Sequence, residues 1–142
     1  MQLNPNKVEI IPKHRFRIAA FALTWLAINQ CVQSSAVLAE TLQINASFLR
    51  RVLFPFVQAG MVEAREGRDG GYVLKTDPTH ITLAEIFLIT NTETNSDLNP
   101  TDQDETCSLF DQVFEEITDE VEQQMLKSLQ KYTLADIMGR MH

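Results

Sequence analysis

The chain has 142 residues, 44% hydrophobic and 22% charged, a balance that excludes a disordered chain and fits one folded domain with a helical appendage. Its net charge of −7 is unevenly spread: residues 1–80 hold nine Lys/Arg against six Asp/Glu, whereas residues 81–142 hold three against thirteen, so a +3 half suited to phosphates is joined to a −10 half. Two distant cysteines, Cys31 and Cys107, exclude a disulfide framework and an all-cysteine metal site, and point to a reducing cytoplasm.

In chain order, Lys13, Arg15 and Arg17 lead into a segment from Phe16 to Ile28 whose apolar residues fall on every face, which predicts a mostly buried first helix. A basic start, an apolar run and then Ala36-Val37-Leu38-Ala39 also outline a signal peptide. The run is too short to span a bilayer, which takes about 20 apolar residues. It is therefore read as part of the fold, with no membrane partner. Ser34 and Ser35 are N-cap candidates for a second helix over Ala36–Leu42. Asn45 caps a third that begins at Ala46, carries Phe48, Leu49, Val52, Leu53 and Phe56, and stops at Gly60. A short helix, a tight turn and a longer helix is helix-turn-helix order. Pro55 removes a backbone donor inside that helix and predicts a kink or early loosening, downstream of residues 46–51.

After Gly60 the period changes. Met61–Glu66 and Tyr72–Lys75 read as two strands around the loop Gly67-Arg68-Asp69-Gly70-Gly71, which turns a helix-turn-helix into a winged helix. Thr82-Leu-Ala-Glu85 is a capping box for a helix to about Thr90, and Thr133-Leu-Ala-Asp136 a similar cap for a short closing helix. Asn91–Glu105 is polar and proline-broken, hence a loop. From Cys107 to about Gln130 a long amphipathic helix repeats Phe110, Val113, Phe114, Ile117, Val121, Met125 and Leu129 at three- and four-residue spacing, with Asp111, Glu115, Glu116, Asp119, Glu120 and Glu122 on its other face. Outside the compact unit that stripe needs a partner, and a second copy of the chain is the economical one, so a homodimer is expected. The expected architecture is mainly α with a small β-hairpin wing. Its parts are a winged helix-turn-helix domain over 1–90, a loop over 91–106, and a dimerisation helix with its closing helix over 107–142.

Ser47, Phe48, Arg50 and Arg51 stand where a recognition helix enters the major groove, and arginine forks suit both guanine edges and phosphate. The same residues also read as a solvated basic face around a core Phe48. Arg68, at the tip of the glycine loop, suits a minor groove or the backbone, or is a turn residue paired with Asp69. Lys13, His14, Arg15 and Arg17 suit phosphate contacts that position without reading sequence, or are an ordinary charged helix start. Cys107 is a sensor thiol, one metal ligand, or inert. A helix N-terminus favours its thiolate, and neighbouring Asp104 and Glu105 oppose it. His14, His80 and His142 have no metal-ligand spacing, and no phosphate loop or nucleophile motif supports an enzyme.

Phe48-Leu-Arg-Arg-Val-Leu, Ala59-Gly-Met-Val, Gly70-Gly-Tyr-Val-Leu and Ile81-Thr-Leu-Ala-Glu-Ile, in that order and spacing, resemble the BadM/Rrf winged-helix regulators, the IscR-like family. Cys107-Ser-Leu before a long helix and Tyr132-Thr-Leu-Ala-Asp-Ile extend the resemblance over roughly residues 14–138. It implies a homodimer on a pseudo-palindromic promoter site in double-stranded DNA, usually a repressor, with Ser47, Phe48, Arg50 and Arg51 near bases and phosphates and Arg68 in the wing. The chain also departs from the family pattern. Cluster-binding members carry three cysteines before the dimer helix, and only Cys107 stands here, so no iron–sulfur cluster or other cofactor is expected. Glu66 replaces a common wing arginine, leaving Arg65 and Arg68 to supply the charge. The paired arginines resemble members that lack the cluster cysteines. The expected function is sequence-specific DNA binding controlled by an oxidant at Cys107 or by a small molecule. The rival expectation is a protein-interaction module whose acidic half binds a basic partner.

Overall fold

The computed structural model describes residues 13–91 and 105–141, with the side chains of 14–91 and 108–141. Helix α1 (Lys13–Asn29) places Ile18, Ala22 and Leu26 in one row and Ala19 and Leu23 in the next, all buried. The alanines let neighbours approach closely, and α2 (Ser35–Leu42), α3 (Ala46–Gln58), α4 (Leu83–Asn91), α6 (Leu134–Arg140) and the wing all pack on this helix. Helix α2 (Ser35–Leu42) starts where the Ser34 hydroxyl accepts the Val37 amide at 3.1 Å, and ends at Gln43 with φ 58°, a left-handed C-cap.

Helix α3 (Ala46–Gln58) starts at Asn45, whose side-chain oxygen accepts the Phe48 amide at 2.7 Å. It buries Leu49, Val52, Leu53 and Phe56, the helical i, i+3, i+4, i+7 stripe. The helix runs through Pro55 to Gln58, just short of the expected stop at Gly60, and the Ala59 amide donates to the Pro55 carbonyl at 3.0 Å. The carbonyl that loses its helical donor belongs to Arg51, on the exposed face, where water can serve it.

Strands β1 (Val62–Arg65) and β2 (Gly71–Leu74) pair antiparallel, with Val62 opposite Leu74 and Arg65 opposite Gly71. A 3-10 turn at Pro78–His80 follows Asp77, whose carboxylate accepts from both the hydroxyl and the amide of Thr79; those bonds hold its pKa below the ordinary value. Helix α4 (Leu83–Asn91) opens with the Thr82 hydroxyl accepting the Glu85 amide at 3.1 Å. Helix α6 (Leu134–Arg140) has both bonds of a Thr133–Asp136 capping box. Its start is tied to that of α4, Leu83 donating to the Tyr132 carbonyl and Leu134 to that of Ile81. Leu134 is fully buried in the core with Leu23, Leu49, Leu53, Phe56 and Ile86, so α6 packs back on α1. Each such side chain contributes about 1.5–3 kcal/mol on burial.

Helix α5 (Glu105–Leu129) packs on α4 and otherwise exposes Leu109, Phe110, Val113, Phe114, Ile117 and Val121, each more than half accessible. The fold is mostly helical with one two-stranded hairpin, as the sequence predicts. Among the described residues no helix is long and apolar enough to cross a membrane.

Candidate nucleic-acid interface

The cap at Asn45 fixes the first turn of α3, and from it Ser47, Arg50, Arg51 and Phe54 project on one exposed face at i, i+3, i+4 and i+7. Phe48 is turned partly inward against the core. Its ring stacks on His14 of α1 at 5.5 Å between centroids, and the guanidinium carbons of Arg15 and Arg51 lie over it at 5.9 and 5.6 Å. One aromatic ring thus gathers an imidazole and two arginines from two helices.

Beside this cluster, an open groove of about 760 Å3 separates α3 and the start of α2 from the wing, lined by Ser34, Arg50, Phe54, Arg65 and Arg68 among others. The wing is tight because Gly67, Arg68, Asp69 and Gly70 form a turn in which the Gly70 amide donates to the Gly67 carbonyl at 3.1 Å. A side chain at Gly70 would meet the Arg65 carbonyl oxygen at 2.2 Å. Arg68 therefore stands exposed at the tip. Arg65 donates to the Glu63 carboxylate at 3.3 Å, and Lys75 approaches the same oxygen at 3.6 Å. Exposed pairs of this kind contribute about 0–1 kcal/mol, so Arg65 can exchange its partner for a phosphate.

Of the residues singled out from sequence, Arg15 joins Phe48 and Arg51, while Arg50, Arg65 and Arg68 line one groove. Arg17 is not brought to either. Two residues along a helix turn a side chain by about 200°, and Arg17 lies on the other side of α1. There it borders an apolar groove of about 290 Å3 formed by Phe21, Trp25, Ile28, Ile137 and Met141. Cys107 lies on the first turns of α5, and its side chain is outside the described residues. Sequence reading missed Phe54, 53% exposed beside Arg50, although its i+4 spacing from Arg50 was there to be read. It also missed the α1/α6 groove, which only tertiary packing creates.

Among the described residues no three His, Cys, Asp or Glu side chains lie close enough together to hold a metal ion. The chain's two cysteines cannot supply three thiolates, so the donor set does not fit a three-cysteine iron–sulfur site.

Residues 13–140 match the Rrf2 family model, described as an iron-dependent transcriptional regulator. The fold is similar to that of a Lactobacillus plantarum protein described as a candidate transcriptional regulator (TM-score 0.75, 19% identity, 89% of each chain covered). It is similar also to T. potens IscR (TM-score 0.67, 21% identity, 98% of this chain and 92% of that one). A third similar structure is CymR, the global cysteine regulator of B. subtilis (TM-score 0.63, 22% identity, 94% and 98%). No curated protein matches the chain.

Proposed function

Because the chain belongs to the Rrf2 family of transcriptional regulators, we propose that it is a cytoplasmic homodimer that binds a pseudo-palindromic promoter site and represses from it. The observation that carries this reading is the convergence of cations on one side of the winged unit. Arg15 and Arg51 meet on Phe48, and Arg50, Arg65 and Arg68 line the adjoining groove. A helix fits the major groove, whose width is about 12 Å. Arg50 and Ser47 then face base edges, Arg15 and Arg51 face phosphates, and Arg68 follows the wing along the backbone or into the minor groove. The acidic face of α5 is repelled by phosphates, which orients the molecule with its basic side to DNA.

Two apolar surfaces support the homodimer. The α5 side chains Leu109, Phe110, Val113, Phe114, Ile117 and Val121 are each more than half accessible, and the α1/α6 groove exposes Phe21, Ile28 and Met141. The α5 row of a second copy covers both at once, and the two-fold symmetry that results matches an inverted-repeat operator. Control is by an oxidant at Cys107 or by a small molecule, with no three-cysteine cluster involved. Unchanged release from DNA by oxidants in Cys107→Ser would reject the thiol version. Selection of bound duplexes from a random library tests the core of the proposal. An enriched inverted repeat is expected, and an enriched sequence without symmetry would contradict the dimeric reading.

A further inference from the structure

We propose that Phe48 is a positioning residue for DNA binding, its ring holding Arg15 of α1 and Arg51 of α3 in one phosphate-facing arrangement so that two helices engage the duplex as a unit. The inference rests on the DNA-binding reading above. Three features set the ring in place. The Phe48 amide is bound by the Asn45 cap at 2.7 Å, the side chain packs partly against the core, and His14 stacks on it with an interplanar angle of 22°. Arg51 follows one turn later on the same helix, where contact is expected. Arg15 arrives from a different helix, so its position at 5.9 Å couples α1 to the recognition helix.

A guanidinium over a ring is attracted through its charge to the ring's quadrupole, an interaction that does not itself consume the in-plane N–H donors. Those donors are the ones a phosphate uses in a bidentate contact. An arginine already ordered on the ring loses less freedom when it meets DNA. A leucine at position 48 would serve packing as well, as Leu49 and Leu53 do beside it. It would not hold two cations.

The test replaces Phe48 by pentafluorophenylalanine, which keeps the shape and reverses the quadrupole, and separately by Leu and by Trp. Each is made in the unaltered chain and in an Arg15→Gln/Arg51→Gln background. Affinity for a random-sequence duplex of about 20 base pairs is measured at a salt concentration low enough that the arginine variant still binds, beside the thermal midpoint. The fluorinated ring and Leu are expected to weaken binding about five- to thirtyfold in the unaltered chain. In the arginine-free background they change it less than about twofold, since the ring then has nothing to position. Trp, the strongest cation partner, is expected to keep binding near that of the unaltered chain, and a loss as large as that with Leu would overturn the proposal. Equal losses in both backgrounds would show that Phe48 touches DNA itself, and would overturn the proposal. So would no loss at all, or a loss that tracks a fall in the melting midpoint of the fluorinated variant. Failure of the unaltered chain to bind the duplex at low salt would overturn the DNA-binding reading instead, and this inference with it.

Discussion

Gln33 and Tyr72 exchange both backbone hydrogen bonds, each 2.8 Å long, so the second strand of the wing is joined to the link between α1 and α2. The pairing is close because Gly71 precedes Tyr72 with φ 151°, and a side chain there would meet the Gln33 carbonyl oxygen at 2.1 Å. The Gln33 side chain adds to the join, its carbonyl accepting from the Trp25 indole at 3.2 Å. The wing is therefore held in place relative to the helices and does not swing as a free hairpin. Arg68 is thereby carried at a fixed distance from α3.

Gly71→Ala is accordingly expected to cost about 1–3 kcal/mol of stability, since it needs both a strained backbone and the loss of the Gln33 pairing. Denaturant unfolding measures it. A smaller change would mean that the wing is not anchored there.

Arg50→Ala and Arg68→Ala should weaken binding in different ways. If Arg50 reads a guanine, its loss costs about 1–3 kcal/mol on the selected site and relaxes the preference at one position. If Arg68 contacts phosphate, its loss weakens all sequences alike and lowers the salt slope by about one. Binding to selected and random duplexes at several salt concentrations separates the two effects.

Phe114→Glu and Ile117→Asp change side chains that are 55% and 54% exposed in the protomer, so they should leave its fold intact while breaking the dimer. Sedimentation equilibrium is expected to give a monomer with an unchanged helical circular dichroism signal. A dimer that persists would place the subunit interface elsewhere.

Thr133→Ala should cost about 0.5–2 kcal/mol, because it removes the hydroxyl that accepts the Asp136 amide at 3.2 Å. Asp136→Ala removes the reciprocal bond to the Thr133 amide, 2.9 Å. Both act on one box, so the double variant should cost less than the two losses combined, as thermal unfolding would report.

The helix starts at Ser34, Asn45 and Thr133 were legible in the sequence because a capping side chain acts within three residues. So was the hairpin, through its glycines and change of period. The stop near Gly60 was legible as well, with α3 continuing past Pro55 to Gln58. Arg15 and Arg17 looked equivalent as neighbours in a basic segment, but helical rotation sends one to the recognition helix and the other to an apolar groove. The meeting of Phe48 with His14 and Arg15, and the burial of Leu134 in the core beside α1, depend on contacts between distant elements that no local pattern encodes.

The most direct test of a regulator that grips DNA through Arg15, Arg50, Arg51 and Arg68 is a titration of the full chain against a labelled duplex of its selected site. Random DNA serves as competitor, and the titration is repeated across salt concentrations. Binding is expected to survive the competitor and to weaken steeply with salt, with a slope that reflects several displaced counterions. Binding that is absent at low salt, or indifferent to salt, would contradict this reading and leave the acidic α5 face as the working surface of the molecule.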